Sequence, residues 1–234
     1  MTPDSQYTID RVLQRQFNRP AVRVVENRQA PLTNYAGISV ASGVVEKLGI
    51  AEAIVEQVHL LDRHKPYQES DHVLSVVYNL LTGGESLIDI ERLRGQQGVA
   101  KLLGAGRIPD PTTVGDFLAR FGDSDLRDLQ QAMGAIQRQT FGKLGKDRRK
   151  RATIDFDSSI HEVYGQKKEG ADFSYDGRWS YHVLYGRLAE TGEVVHQELR
   201  EGNQSSSTGT VEALPEILQR RGQSYSLWQS RRRR

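Results

Sequence analysis

The spacing of apolar residues changes period once along the chain, between residues 142 and 151. Before that point apolar positions recur every three or four residues; after it they alternate. From Val40 the pattern is helical. Ser42 to Leu48 runs into a glycine stop at Gly49, and Ile54, Val55, Val58 and Leu61 predict a helix over 50–61. Asp71 is placed to cap the next helix, whose predicted buried stripe is Val73, Val76, Val77, Leu80 and Leu81, ended by Thr82-Gly83-Gly84. Short helical pieces follow over 85–93 and 99–103. Pro109 and Pro111 then stop one element while Asp110 or a threonine caps the next, with Phe117, Leu118 and Phe121 as its apolar anchors. A last helix covers 126–139 and runs out at Gly142-Lys143-Leu144-Gly145.

Beyond the change of period, residues 151–157 put Thr153, Asp155 and Asp157 on one face of a strand and Ala152, Ile154 and Phe156 on the other. After a glycine-bearing loop over 165–177, the runs YHVLYGRLA and EVVHQELR flank Glu190-Thr191-Gly192, which predicts a β-hairpin. Thr210 to Gln219 is helical, with Ser206, Ser207 or Thr208 as its N-cap. The expected fold class is therefore α/β, α+β overall: a helical domain over 32–150, then a strand, a hairpin and a helix over 151–221 that begin a mixed sheet. Residues 1–31 read as a flexible polar arm, in which Val22, Val24 and Val25 form one short strand, and 222–234 as an aberrant arginine-rich tail.

Composition narrows the class. Hydrophobic residues make up 37% and mean hydropathy is −0.59. No apolar run approaches the ~18 residues that a membrane helix needs, and no signal peptide opens the chain, so the expectation is a soluble cytoplasmic protein. With no cysteine, disulfides and thiolate zinc sites are excluded. A net charge of +2 hides a cluster, Lys143, Lys146, Arg148, Arg149, Lys150 and Arg151, directly before the acidic strand, and a second run closes the chain at 231–234. Cations beside carboxylates suit a phosphodiester substrate, the one holding the backbone and the other a metal; a solvated linker has the same composition.

Aspartate is depleted in strands, and two on one face repel. The pair Asp155 and Asp157 is either a site for a hard divalent cation, Mg²⁺ or Mn²⁺, or a solvated face. His161-Glu162 lacks the further histidine of a metalloprotease helix. His182 and His196 are placed to face each other across the hairpin or are structural, and Glu162 and Glu169 either assist metal binding or are solvated loop acids. Lys167, Lys168, Arg178 and Arg187 are candidate phosphate contacts, and Tyr164, Tyr175, Trp179 and Tyr181 either stack on bases or pack the loop to the hairpin.

The run IDFDSSIHEVYGQKKEGADFSYDGRWSYH, followed by LAETGEV and REGNQSSS, resembles the bacterial insertion-sequence transposases of the DDE class. The lead-in IPDPTTVGDFLARF is similar to theirs as well. The resemblance implies an RNase H-like catalytic domain with Asp157, followed by two serines, as the first catalytic aspartate and Asp155 as a lesser helper. It implies Mg²⁺ or Mn²⁺ as cofactor. Double-stranded DNA is the implied partner, at the element's terminal inverted repeats and at the target, with a possible homodimer and a place at the nucleoid. Lys146, Arg148, Arg149, Lys150, Arg151, Lys167, Lys168 and Arg178 are the implied nucleic-acid contacts. Such domains carry a second aspartate on the strand after this helix and a distant glutamate, because two cations about 3.5–4 Å apart need several carboxylates. Here no Asp or Glu follows Glu216. The expectation is a truncated or frame-shifted chain, inactive alone, whose hairpin has an exposed edge. The alternatives are a non-catalytic DNA-binding fragment that regulates transposition, and an RNase H-like nuclease.

Overall fold

The computed structural model describes residues 8–9, 24–25, 33–64, 66–142, 153–165 and 167–221. The basic cluster at 143–152, the tail at 222–234 and most of the arm at 1–31 lie outside them. Within the arm, β1 (Thr8–Ile9) pairs antiparallel with β2 (Val24–Val25).

Helix α1 (Ile38–Lys47) hands over to α2 (Ile50–Gln57) through Gly49, whose φ of 59° is the left-handed conformation that glycine adopts without strain. Helix α2 stops a turn short of the predicted 61. Val58 is extended and fully buried, and the buried Glu69 carboxylate takes the Leu61 N–H at 3.1 Å, which fixes the chain away from helix.

Helix α3 (Glu69–Leu81) corrects the predicted stripe. Its inward face is polar and aromatic: His72, Ser75, Tyr78 and Asn79 are buried, while Leu80 and Leu81 are about three-fifths exposed. His72 and Asn79 have contacts outside the helix that hold them inward. His72 stacks on Phe117 at 4.5 Å, Ser75 Oγ donates to Asp71 O, and Asn79 Nδ2 donates to Ser86 O at 2.9 Å. Asp71 sits at the third helical position, not the cap, and its carboxylate takes the Gln68 N–H.

A 3₁₀ turn (Leu87–Asp89), α4 (Ile90–Arg94) and α5 (Gln97–Leu102) follow. Helix α6 (Pro111–Leu118) starts as its sequence predicts, with Pro111 in the first turn and Asp110 Oδ1 accepting from Thr113 N–H at 2.9 Å. Phe117 is buried, whereas Leu118 is 39% exposed and anchors little. Ile38, Tyr78, Ile90, Leu93, Val99, Ile108 and Val114 make the helical core.

Helix α7 (Asp123–Gly142) packs on both α2 and the last helix, α8 (Thr210–Arg221), and so ties the helical part to the sheet. The sheet has β5 (Trp179–Leu188) at its centre, β3 (Ile154–Glu162) antiparallel on one side, and β6 (Val194–Glu201) with the short β4 (Asp172–Phe173) on the other. Leu188 and Val195 of the sheet pack with Ala213 and Ile217 of α8, and Ile154 and Phe156 lie against them. The molecule is thus mixed α/β, a helical part followed by a four-stranded antiparallel sheet. No helix among the described residues is long and apolar enough to cross a membrane.

Candidate functional site

Hydrogen bonds at both ends of the β3–β5 ladder fix its register. Ala189 N–H donates to Thr153 O, and Val163 N–H donates to Trp179 O, each at 2.9 Å. The odd-numbered residues of β3 are therefore the hydrogen-bonded partners of β5, and Ile154, Phe156, Ser158 and Ile160 turn their backbone groups to the outer edge. Among the described residues no strand meets that edge. The hairpin has an open edge too: among the described residues no strand meets the outer side of β6, although its carbonyls at Val194 and Gln197 accept from Gln137 and Gln130 of α7.

Asp155 and Asp157 share one exposed face of β3, opposite the face under α8. Their surroundings differ. Asp155 lies across from Arg187, a cation; Asp157 lies across from Tyr185, which is neutral. Asp157 Oδ1 accepts the Ser158 N–H at 2.8 Å, so this carboxylate is turned to the free edge and satisfies one of its donors. His161, farther along the same face, approaches Tyr185 Oη at 3.4 Å.

A divalent cation needs several hard oxygen ligands. The exposed carboxylates of Asp157 and Asp155 are the right chemistry, yet among the described residues no three acidic or histidine side chains gather at one point. The donor set is suitable in kind and partial in number.

The loop after β3 is tied down by side chains. Asp176 accepts from Ser174 Oγ and from both Nε and Nη2 of Arg178, which holds its carboxyl down at about 2. The aromatic residues separate into two groups. Trp179 Nε1 donates to Gly165 O and meets Phe173 edge-on, and Tyr181 Oη donates to Glu169 O, so both are packing residues. Tyr164 and Tyr175 are 82% and 88% exposed. Lys167 and Lys168 are exposed in the turn, and Arg178 is exposed beside its aspartate. The cluster Lys146, Arg148, Arg149, Lys150 and Arg151 lies outside the described residues.

His182 and His196 do not face each other: His182 is paired with Arg200, and His196 with Gly186. His182 Nδ1 instead bonds Gln204 O at 2.7 Å, and His196 Nε2 lies 3.6 Å from Glu198.

The family model described as transposase DDE domain group 1 matches residues 15–229. The chain belongs to this family. No curated protein and no solved structure matches it.

Within this DDE transposase domain, the Gly-Asn that follows β6 has a structural explanation that the sequence left open. A Cβ on Gly202 would lie 2.2 Å from Asp172 O and 2.3 Å from Ser180 O, so only glycine passes under β4. Asn203 Nδ2 then donates to the Asp172 carboxylate at 2.6 Å. Arg200 was also unforeseen. It is 8% exposed and donates to the carbonyls of His182, Ser205 and Thr208, clamping the loop that leads to α8. Its only sequence signal is an inward register position, which period two assigns once the strand is known.

Proposed function

We propose that the chain acts in DNA transposition of an insertion sequence, with Asp157 as the catalytic metal ligand and Asp155 as a secondary one. One observation carries this reading. In a member of a DDE transposase family, the carboxylate of Asp157 is exposed on the free edge of the first long strand and held there by Ser158 N–H. Arg187 opposite Asp155 disfavours a cation at that residue, which ranks the two. The succession of strand, hairpin and helix supports an RNase H-like catalytic domain.

The cofactor would be Mg²⁺ or Mn²⁺, which promotes attack of water or a 3′-hydroxyl on phosphorus and stabilises the leaving oxygen. The protein's own part is to hold the DNA backbone. Lys146, Arg148, Arg149, Lys150, Arg151, Lys167, Lys168 and Arg178 are the proposed phosphate contacts, on double-stranded DNA of the terminal inverted repeats and of the target. A homodimer at the nucleoid of a bacterial cytoplasm fits such a role. A second reading, a chain that binds DNA without cleaving it, is favoured by the partial donor set among the described residues.

Titrating Mn²⁺ into the ¹⁵N-labelled chain tests the metal assignment. The Asp157 and Ser158 amides should broaden first, Asp157→Asn should abolish the effect, and Asp155→Asn should largely preserve it. Broadening centred elsewhere, or equal loss in both variants, removes Asp157 from the role. Transposition or cleavage of element-end DNA by the same variants separates the catalytic reading from the binding-only one.

A further inference from the structure

On the side of β3 opposite Asp157, a cavity of ≈ 280 Å³ lies between the far half of that strand and the loop before α8. Ser158 and Ser206 bring hydroxyls to it, Arg178 a guanidinium, and His182 an imidazole; Ser159 borders it, though strand alternation puts its side chain on the Asp157 face, and among the described residues no carboxylate lines it. Tyr175 stands at its margin, 88% exposed. This is a donor-rich lining, suited to an oxyanion and poor for a cation or an apolar ligand.

The lining is also rigidly built. Asp176 takes Nε and Nη2 of Arg178 and so aims the fork, leaving Nη1 for a ligand. The loop carrying Ser206 is fixed on both sides of it. His182 Nδ1 bonds Gln204 O, and Arg200 donates to Ser205 O and Thr208 O from beneath. Arg200 Nη2 is buried without a partner among the described residues. The rest of the guanidinium is met by the carbonyls of His182, Ser205 and Thr208, with Glu198 near it.

Ser158 belongs to both places: its side chain lines the cavity, and its N–H holds the Asp157 carboxylate at the free edge. A strand of DNA crossing that edge reaches both. We propose that the cavity is a subsite for one backbone phosphate of the DNA strand that Asp157 engages, with the neighbouring base stacked on Tyr175. Arg178 and the hydroxyls of Ser158 and Ser206 donate to the phosphate oxygens. Stacking on an exposed tyrosine is indifferent to base identity, so the subsite positions the strand and does not read sequence. The inference rests on the DNA reading given above and extends it to residues outside the acidic face.

Two measurements on the full chain test it. The first follows ¹⁵N amides while the dinucleotide d(TpT), a single phosphodiester, is added. Ser158, Ser159 and Ser206 should shift together with the Arg178 Nε–H. The second measures binding of a short duplex over a range of salt. Arg178→Gln should weaken it and lower the slope of log K against log salt by about one, as for a lost phosphate contact. Ser206→Ala should weaken it with the slope unchanged, and Tyr175→Ala should weaken it for every base composition alike. If the duplex binds and d(TpT) leaves these amides unmoved, the subsite is wrong and the DNA reading stands. If d(TpT) moves them and no duplex binds, the phosphate site stands and the DNA reading fails. Silence in both measurements overturns both.

Discussion

The two long edges of the sheet are finished in opposite ways. Along β6 the outward carbonyls of Val194 and Gln197 are met by Gln137 and Gln130. The geometry matches: seven residues of helix rise about 10.5 Å, and three residues of strand span about 10 Å. Helix α7, running antiparallel to β6, can therefore place two amides at the spacing of two free carbonyls. Along β3 the described residues offer nothing comparable, and the one outward donor with a side-chain partner, Ser158 N–H, is taken by Asp157. An unpaired edge is normally a liability that proteins cover. Here one edge is partly covered by neutral amides and the other carries the carboxylate proposed for chemistry. Asp157 itself projects from the exposed face of β3, and only its bond to Ser158 N–H turns it toward the edge.

The comparison breaks most sharply at the covered side. Gly202 lets the chain leave β6 beneath β4, and its Cβ would collide with two backbone oxygens that cannot rotate away. Gly202→Ala should cost about 3 kcal/mol, the upper part of the range for overpacking, read from urea unfolding. A cost within error of zero would mean that β4 is not seated there. At the free side, hydrogen exchange measures the edge directly. The Asp155, Asp157 and Ser159 amides, bonded into β5, should exchange about a hundredfold more slowly than those of Phe156 and Ile160, a difference of ~2.7 kcal/mol. Equal protection would show that another segment pairs with β3. Smaller again is Gln137→Ala. Gln137 is 8% exposed and its bond to Val194 O is 2.8 Å, so the variant should lose about 1–2 kcal/mol for a stranded carbonyl, with Gln130→Ala losing less.

Which parts were legible in the sequence follows from the range of the forces involved. The acidic strand, the hairpin about Gly192 and the cap of α6 are set by local pattern; each formed, with the strand running on to Glu162 beyond the expected Asp157 and the cap falling to Asp110 of the two candidates. Helix α3 was misread because period alone cannot say which of two faces is buried. Its valines and leucines make a plausible stripe, but stacking on Phe117 and the bond to Ser86 O turn His72 and Asn79 inward. The partial cover of the β6 edge was out of reach for a similar reason: Gln130 and Gln137 are unremarkable on a helix until a strand 57 residues away presents its carbonyls to one of them. Asp157 was legible beside Asp155 only as a pair. The register that sets Arg187 against one and Tyr185 against the other exists only in the folded sheet.

The smallest expected effect concerns the loop that joins the free edge to the centre of the sheet. Asp176 is held at about 2, first by the Arg178 side-chain hydrogen bond and then by that of Ser174. Its folded pKa lies below the ordinary 3.8, so whatever the bond contributes to folding is fully present above that value and is lost as pH falls toward about 2. Between neutral pH and 5 the loop should not respond. Below 4 the Ser174 and Arg178 amides should report a carboxyl titrating later than other exposed aspartates, and Asp176→Asn should abolish that signal while barely moving the urea midpoint at neutral pH, because the pair is solvent-screened. A midpoint near 4 would mean that Arg178 is not held by Asp176. The guanidinium would then be unaimed at the free-edge side of the sheet, and the contrast between an edge partly covered by neutral amides and one furnished with an oriented cation would lose its second half.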